Sequence, residues 1–567
     1  MPAPSPSEII ADLTEPGARW ASSTITFSIP VAGSVWPSYS APAPDATLPN
    51  GHEPFEPNYS VLSAAQADAF RVAMGAWSRL IATPVVETSD LTNPGEIRVA
   101  FTDTGGDGGL IAVGAYAYYP FTSDQASNPL DGDIWLNETN KNLTYRIGWN
   151  LAGGDSPDPI LLHEIGHALG LKHPFDAPNT LSAPYDNVLY TVMSYNVFGF
   201  NEETLTFSVQ GGQLWTRGTR AVIDAPMVFD IAAVQSLYGA NPTTAAGDTT
   251  YTFDESNAFF TSIYDASGVD TIDLSTHDRA SNIDLTPGAY SSIDIFSADE
   301  QKAFWAKLFP GFGQQIADQV DNDIQHNILY TGLDNLGIAF STTIENANGG
   351  SGDDTITGNA ANNSLNGGAG DDQVHAAAGN DTVQGGDGAN YLRGDEGDDS
   401  ISGGSGFDDI NGNQGNDTAS GGAGNDWVVG GKDNDLLFGD DGNDIVWGNL
   451  GADTLDGGDG NDQIRGGQGD DSLFGGPGND FISGDRGNDT ESGGAGADIF
   501  HTFSGAGIDR VLDFHIAEGD RVIVDPGTVF SVTQQGADTV IDMGNGDQMI
   551  LVGVQMSTLT GSWIFGA

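Results

Sequence analysis

The stretch LLHEIGHALGLKHP, residues 161–174, sets three of the chain's nine histidines within eleven positions. Residues four apart share one face of a helix, so His163 and His167 can aim at a single ion. Gly170 stands three residues after His167, where a helix can end in a left-handed turn that glycine takes without cost. The chain can then double back and deliver His173. Three imidazole nitrogens suit zinc at about 2.0–2.1 Å and leave a fourth position for water, the arrangement of a catalytic site. Glu164 is poorly placed to bind the same ion, but its carboxylate can reach such a water and take its proton. A bland reading, two surface histidines and a surface glutamate on an ordinary helix, does not account for the full HExxHxxGxxH spacing.

A second set of residues repeats. From Gly349 to His501 the chain reads as 17 nonapeptides without an insertion, such as GGAGNDWVV (421–429) and GGDGNDQIR (457–465). The first position is Gly in all but Ala376, and the fourth is Gly except at Ala361 and Asp433. The eighth is apolar apart from Glu491. The sixth is Asp at 354, 372, 381, 399, 408, 417, 426, 435, 444, 453, 462, 471, 480, 489 and 498, with Asn363 and Asn390 as exceptions. Asp354, Asp372, Asp381, Asp399, Asp408, Asp417, Asp426, Asp435, Asp444, Asp453, Asp462, Asp471, Asp480, Asp489 and Asp498 are therefore expected calcium ligands. Calcium takes six to eight oxygens, carbonyls included, and glycine turns expose carbonyls. The two asparagines keep an oxygen but lose the charge, so weaker sites are expected there. Nine residues divide into a turn and a short strand, two nonapeptides make one coil, and turns should stack every 18 residues at the strand spacing of about 4.8 Å.

The chain has 567 residues, 79 acidic against 18 basic, and a net charge of −61. That charge repels nucleic acid and anionic membranes and favours cations. Residues 349–501 hold 30 acids and 4 bases, many of the acids in strict register, which plain surface solvation does not require. With no cysteine, disulfides and zinc–thiolate sites are excluded. The N-terminus lacks the charged and apolar regions of a signal peptide, and no apolar run reaches 18 residues, so no membrane span is expected. No serine has glycine at both −2 and +2, against a lipase-type nucleophile.

These residues need elements to hold them. LSAAQADAFRVAMGAWSRLI (62–81) opens with a capping box, Ser63 to Gln66, and places Phe70, Met74, Trp77 and Ile81 on one face. The histidine helix is expected to start at Ser156 as N-cap with Pro157 first in the helix. A third helix, within 225–242, ends on Gly239. Strands are expected within 23–30, 96–101, 109–121 and 131–137. Residues 245–345 alternate like β structure around one helical insert near 298–319. The expected organisation is an N-terminal tail or short propeptide (1–20), an α+β catalytic domain (21–243), a β connection (244–348), a parallel β-roll (349–501) and a β cap with export-signal region (502–567).

HExxHxxGxxH followed by the Met-containing stretch YTVMSYN (190–196) resembles the metzincin metalloproteases. His173-Pro174, the turn MSY and the appended array resemble the serralysin family with its RTX calcium-binding repeats, over nearly the whole chain. The resemblance implies that Met193 floors the zinc site, and that Tyr195 is a displaceable zinc ligand whose hydroxyl turns to hold the oxyanion. It also implies a substrate-pairing strand edge within 112–120. One catalytic Zn²⁺, several structural Ca²⁺, protein or peptide substrates, and a secreted, monomeric enzyme follow as expectations. Export machinery reading the C-terminal region is expected too, although TGSWIFGA lacks the acidic residue many relatives carry. The competing reading is a calcium-dependent adhesin or matrix-binding protein with an inactive peptidase-like domain, against which the intact Glu164 and three histidines speak.

Overall fold

Ser63 accepts from Gln66 N while Gln66 Oε1 accepts from Ser63 N at 2.9 Å, and this box starts the longest helix of the N-terminal half. A computed structural model describes residues 3–32, 34, 59–102, 115–117, 119–120, 132–137, 157–177, 179–196, 203–255, 258–326 and 329–566. The helices are α1 (Pro6–Leu13), α2 (Ala64–Ser78), α3 (Pro159–Ala168), α4 (Val228–Tyr238), α5 (Ala298–Leu308) and α6 (Gly313–Gln325). The first eight strands are β1 (Ile25–Ser28), β2 (Tyr59–Ser60), β3 (Val85–Glu87), β4 (Ile97–Thr102), β5 (Ala115–Ala117), β6 (Ile134–Asn137), β7 (Glu203–Gln210) and β8 (Gln213–Arg220).

In the N-terminal half, one sheet runs β3-β1-β4-β6-β5 with β2 also pairing β4; β2 and β5 are antiparallel to their neighbours, the rest parallel, and among the described residues β5 is at the edge. Of the strand expected within 112–120, residues 115–117 are seen at that edge; residues 112–114 and 118 lie outside the described residues. Phe70, Met74, Trp77, Leu162, Ile165 and Phe229 join one core that closes α2, α3 and α4 on the sheet. Residues 3–20, ahead of the expected catalytic domain, pack on this unit: Ile9 and Leu13 of α1 are fully buried in that core, and Thr14 bridges Leu171. An amphipathic segment with two large aliphatics on one face gains more from packing there than from solvent.

The C-terminal half is a parallel solenoid. Residues 18 apart stack, as Leu365 on Val383 on Ile401 in one sheet and Ile356 on Val374 on Leu392 in the other, so successive nonapeptides alternate between two sheets. The eighth-position side chains fill the space between the sheets. Glycine at the second turn position is obligatory where φ is about +105: a Cβ on Gly386 would lie 1.9 Å from Gly368 O.

Two features depart from expectation. The parallel ladder begins at Thr250, ahead of the repeats, and continues through Ile508–Val511 and Arg521–Val524 before antiparallel strands close one sheet. The single helical insert is two helices, because Ser297 caps α5 and the 309–312 stretch breaks it before α6. Both pack with the β7–β8 hairpin: Leu205 and Phe207 share a small core with Ile316 and Val320.

Candidate metal centre

Helix α3 starts two residues later than its sequence suggests. Asp158 is the N-cap, accepting from Ile160 N at 2.9 Å, and Pro159 stands at the first position; Ser156 lies outside the described residues. The other end behaves as expected. Gly170 has φ of +100, and a Cβ there would sit 2.2 Å from Ala18 O.

The turn brings the three histidines together, their ligand nitrogens all within 4.8 Å of one another. Each Nδ1 already has an acceptor: Val192 O for His163 at 2.7 Å, Leu171 O for His167 at 2.8 Å and Asp176 Oδ2 for His173 at 2.9 Å. The Nδ1 hydrogens are thereby fixed, and the three Nε2 lone pairs converge. His167 Nε2 and His173 Nε2 stand 3.1 Å apart, and His163 Nε2 is buried without a partner. Lone pairs so close repel unless a cation lies between them; two ligands on a tetrahedral zinc are about 3.3–3.4 Å apart. The donor set fits that ion. Burial holds His163 down to about 4 and His167 well below the usual imidazole value, which keeps the rings neutral and able to ligate.

Glu164 is buried, and its Oε2 has no partner. Burial alone pushes its carboxyl up to about 8. A carboxylate that binds a proton near neutrality suits acid–base work. Met193 is fully buried, its Sδ within 2.5 Å of where a Cβ on Gly166 would be, so the Met turn lies directly under α3. Tyr195 is 63% exposed, its ring stacked at 5.3 Å on His163 and 4.5 Å from His173.

The array also carries unpaired oxygens. Every sixth-position Asp after Asp354 accepts at Oδ1 the backbone N–H of the residue 18 earlier, as Asp381 N to Asp399 Oδ1 at 2.8 Å; Asp354 Oδ1 accepts from Ser281 N. Of the fifteen aspartates, fourteen leave Oδ2 buried and without a partner; the exception is Asp354, whose Oδ2 accepts from Gly350 N at 2.7 Å. Asn363 turns its amide to Glu345 O at 2.9 Å, a donor where its neighbours offer charge. A row of unpartnered carboxylate oxygens beside glycine carbonyls is what a hard cation completes.

The family model for the RTX calcium-binding nonapeptide repeat matches residues 348–383, 384–419, 420–455, 456–491 and 478–510. "Serralysin C" of Dickeya chrysanthemi is 31% identical over 262 residues, 43% of this chain and 42% of its own. "Metalloprotease AprA" of Pseudomonas entomophila is 30% identical over 340 residues, covering 54% and 60%, and "Serralysin" of Proteus mirabilis 32% over 277 residues, 44% of each. The chain is a serralysin relative with RTX repeats. It spans about half the length of the curated relatives it matches.

In this serralysin relative, two supporting residues escape a reading by motif. Asp176 orients His173, and an acid three residues past the last histidine was its available signal. Asp230 accepts from Thr191 Oγ1 at 2.6 Å, Val192 N at 2.8 Å and Met227 N at 2.9 Å, tying the Met turn to α4. A lone charge inside the apolar run MVFDIAAV was its trace.

Proposed function

We propose that this serralysin relative is a secreted zinc endopeptidase whose roll is stabilised by calcium. The observation that supports this most is the convergence of three oriented, neutral imidazole Nε2 atoms beside a buried, unpartnered Glu164 carboxylate. A zinc ion held by His163, His167 and His173 supplies Lewis acidity and lowers the pKa of a water toward about 7. Glu164 takes the proton of the attacking water at its carboxylate and passes it to the leaving amine nitrogen as the C–N bond breaks. Tyr195, partly exposed beside His163, donates its hydroxyl hydrogen to the oxyanion, and Met193 supports the ligands from below. The edge strand β5 pairs with an extended substrate. Asp372 and its sixth-position counterparts bind calcium. Similarity to serralysins and RTX proteins supports secretion, and among the described residues no helix is long and apolar enough to cross a membrane.

The test is a digest of a mixed protein substrate with and without a zinc chelator, cleaved bonds being read by mass spectrometry. New termini that vanish with chelator and return with zinc are expected. Intact substrate throughout would remove the reading and leave the binding-protein alternative.

A further inference from the structure

Helix α3 ends in a turn whose backbone is held from outside itself. Ala168, Leu169 and Leu171 are fully buried, so their carbonyls cannot turn to water. Ala168 O accepts from Trp20 Nε1 at 3.0 Å, Leu169 O from the Tyr238 hydroxyl at 2.8 Å and Gly170 O from Glu15 N at 3.1 Å. Lys172 N donates to Leu13 O at 2.8 Å, and Thr14 forms an antiparallel bridge with Leu171. Tyr238 is the last residue of α4, and its oxygen also accepts from Trp20 N at 3.1 Å. Trp20 and Tyr238 are thus one unit on two successive carbonyls.

The same turn supports two of the three histidines. Leu171 O is the acceptor that fixes the His167 ring, at 2.8 Å from Nδ1, and His173 follows Lys172 directly. The fit leaves no slack. Gly170 approaches so closely that a Cβ there would lie 2.2 Å from Ala18 O. On its other side the segment is wedged by the Trp20 ring, whose Cζ2 would stand 2.5 Å from a Cβ on Gly132, just ahead of β6.

We propose that residues 13–20 are the positioning element of the three-histidine centre, with Trp20 and Tyr238 as its positioning residues. They set where α3 stops, and so the angle at which His167 and His173 present their Nε2 lone pairs. By the same account, removing the segment loosens the metal rather than unmasking it. The inference rests on reading the three histidines as a zinc site. A buried carbonyl deprived of its donor is costly to leave unpaired, so the turn shifts when the indole N–H or the Tyr238 hydroxyl is taken away. Groups that orient metal ligands typically change affinity about 10–100-fold when lost, and these act through the backbone, at the low end.

The test uses the full chain in millimolar calcium, loaded with Zn²⁺ or, for its visible absorption, with Co²⁺. Trp20→Phe keeps a ring against Gly132 and loses the N–H donor; Tyr238→Phe loses one oxygen. Each should release zinc to a zinc-selective chelator about tenfold faster than wild type and shift the Co²⁺ absorption bands, which report ligand geometry. Phe70→Leu thins the same core from α2. It should lower the melting temperature yet keep the wild-type release rate and spectrum. Tyr238→Phe decides the matter if Trp20→Phe does not fold. Wild-type release and spectrum in the folded variants, or a Phe70→Leu chain that changes as they do, overturns the positioning role and leaves the zinc reading intact. A wild-type chain that takes up no more Co²⁺ than His173→Ala overturns the zinc reading, and this inference with it.

Discussion

Glu164 and Glu491 are both buried acids with an unpartnered oxygen, yet the sequence exposes them differently. Glu164→Gln leaves the histidines untouched, so zinc content should hold while peptidase turnover falls about 10²–10⁴-fold. Near-normal turnover by the zinc-loaded variant would remove Glu164 from the mechanism. The His163–His167 pair was readable because four-residue spacing on one helix is local geometry. Asp230 was not, because it acts on Val192 across 38 residues. Glu491 breaks the apolar eighth position and sits between Leu473 and Val511 with only Gly484 N on Oε1. Burial, then the Asp509 charge, pushes its pKa well above the usual carboxylate range. A raised folded-state pKa means stability that is full below about pH 4 and lost as pH rises through the folded value. Glu491→Met should therefore raise the melting temperature at pH 8 more than at pH 5 at fixed calcium. An equal shift at both would show that Glu491 stays charged.

At the scale of elements, the end of α3 was readable and its start was not. Gly170 is required by both φ and a backbone neighbour, so a glycine three residues past His167 carries one meaning. SPDP offers two cap–proline pairs two residues apart, and only the tertiary position of Asp158 chooses between them. Gly170→Ala places a Cβ 2.2 Å from Ala18 O in a left-handed conformation. It should cost more than about 1 kcal/mol and, by displacing His173, weaken zinc retention. Thermal melts paired with zinc content check this; a stable variant with full zinc would mean the turn tolerates a side chain. The first strands of the ladder were hidden for a related reason. Thr271 stacks under Asn346 across 75 residues, so the register survives while the 18-residue period that announces it is interrupted by α5 and α6.

For the whole molecule, the array's charge decides when it folds. Burial and neighbouring like charges raise Asp372 to about 7, Asp435 to about 8 and Asp480 to about 7 when no cation is present. By the same sign, the calcium-free roll is favoured below about pH 4 and loses that support as pH passes roughly 6–8. Circular dichroism of the full chain should show a cooperative gain of roll signal with calcium at pH 7.5, at roughly submillimolar concentration, with magnesium a poor substitute. Full β signal in chelator at pH 7.5 would refute the calcium dependence. Alternation between two sheets carries one more consequence. It makes the array sensitive to parity. Removing residues 421–438 takes out one unit from each sheet and keeps every later strand on its own side of the roll. Removing only 421–429 sends each later strand to the opposite side, so that Ile508–Val511 and Arg521–Val524 exchange faces and the closing hairpin meets the wrong edge. The shorter deletion should be the more damaging one, seen as aggregation on size exclusion where the longer deletion stays soluble. Natural changes in the length of such an array are then tolerated only in even numbers of nonapeptides.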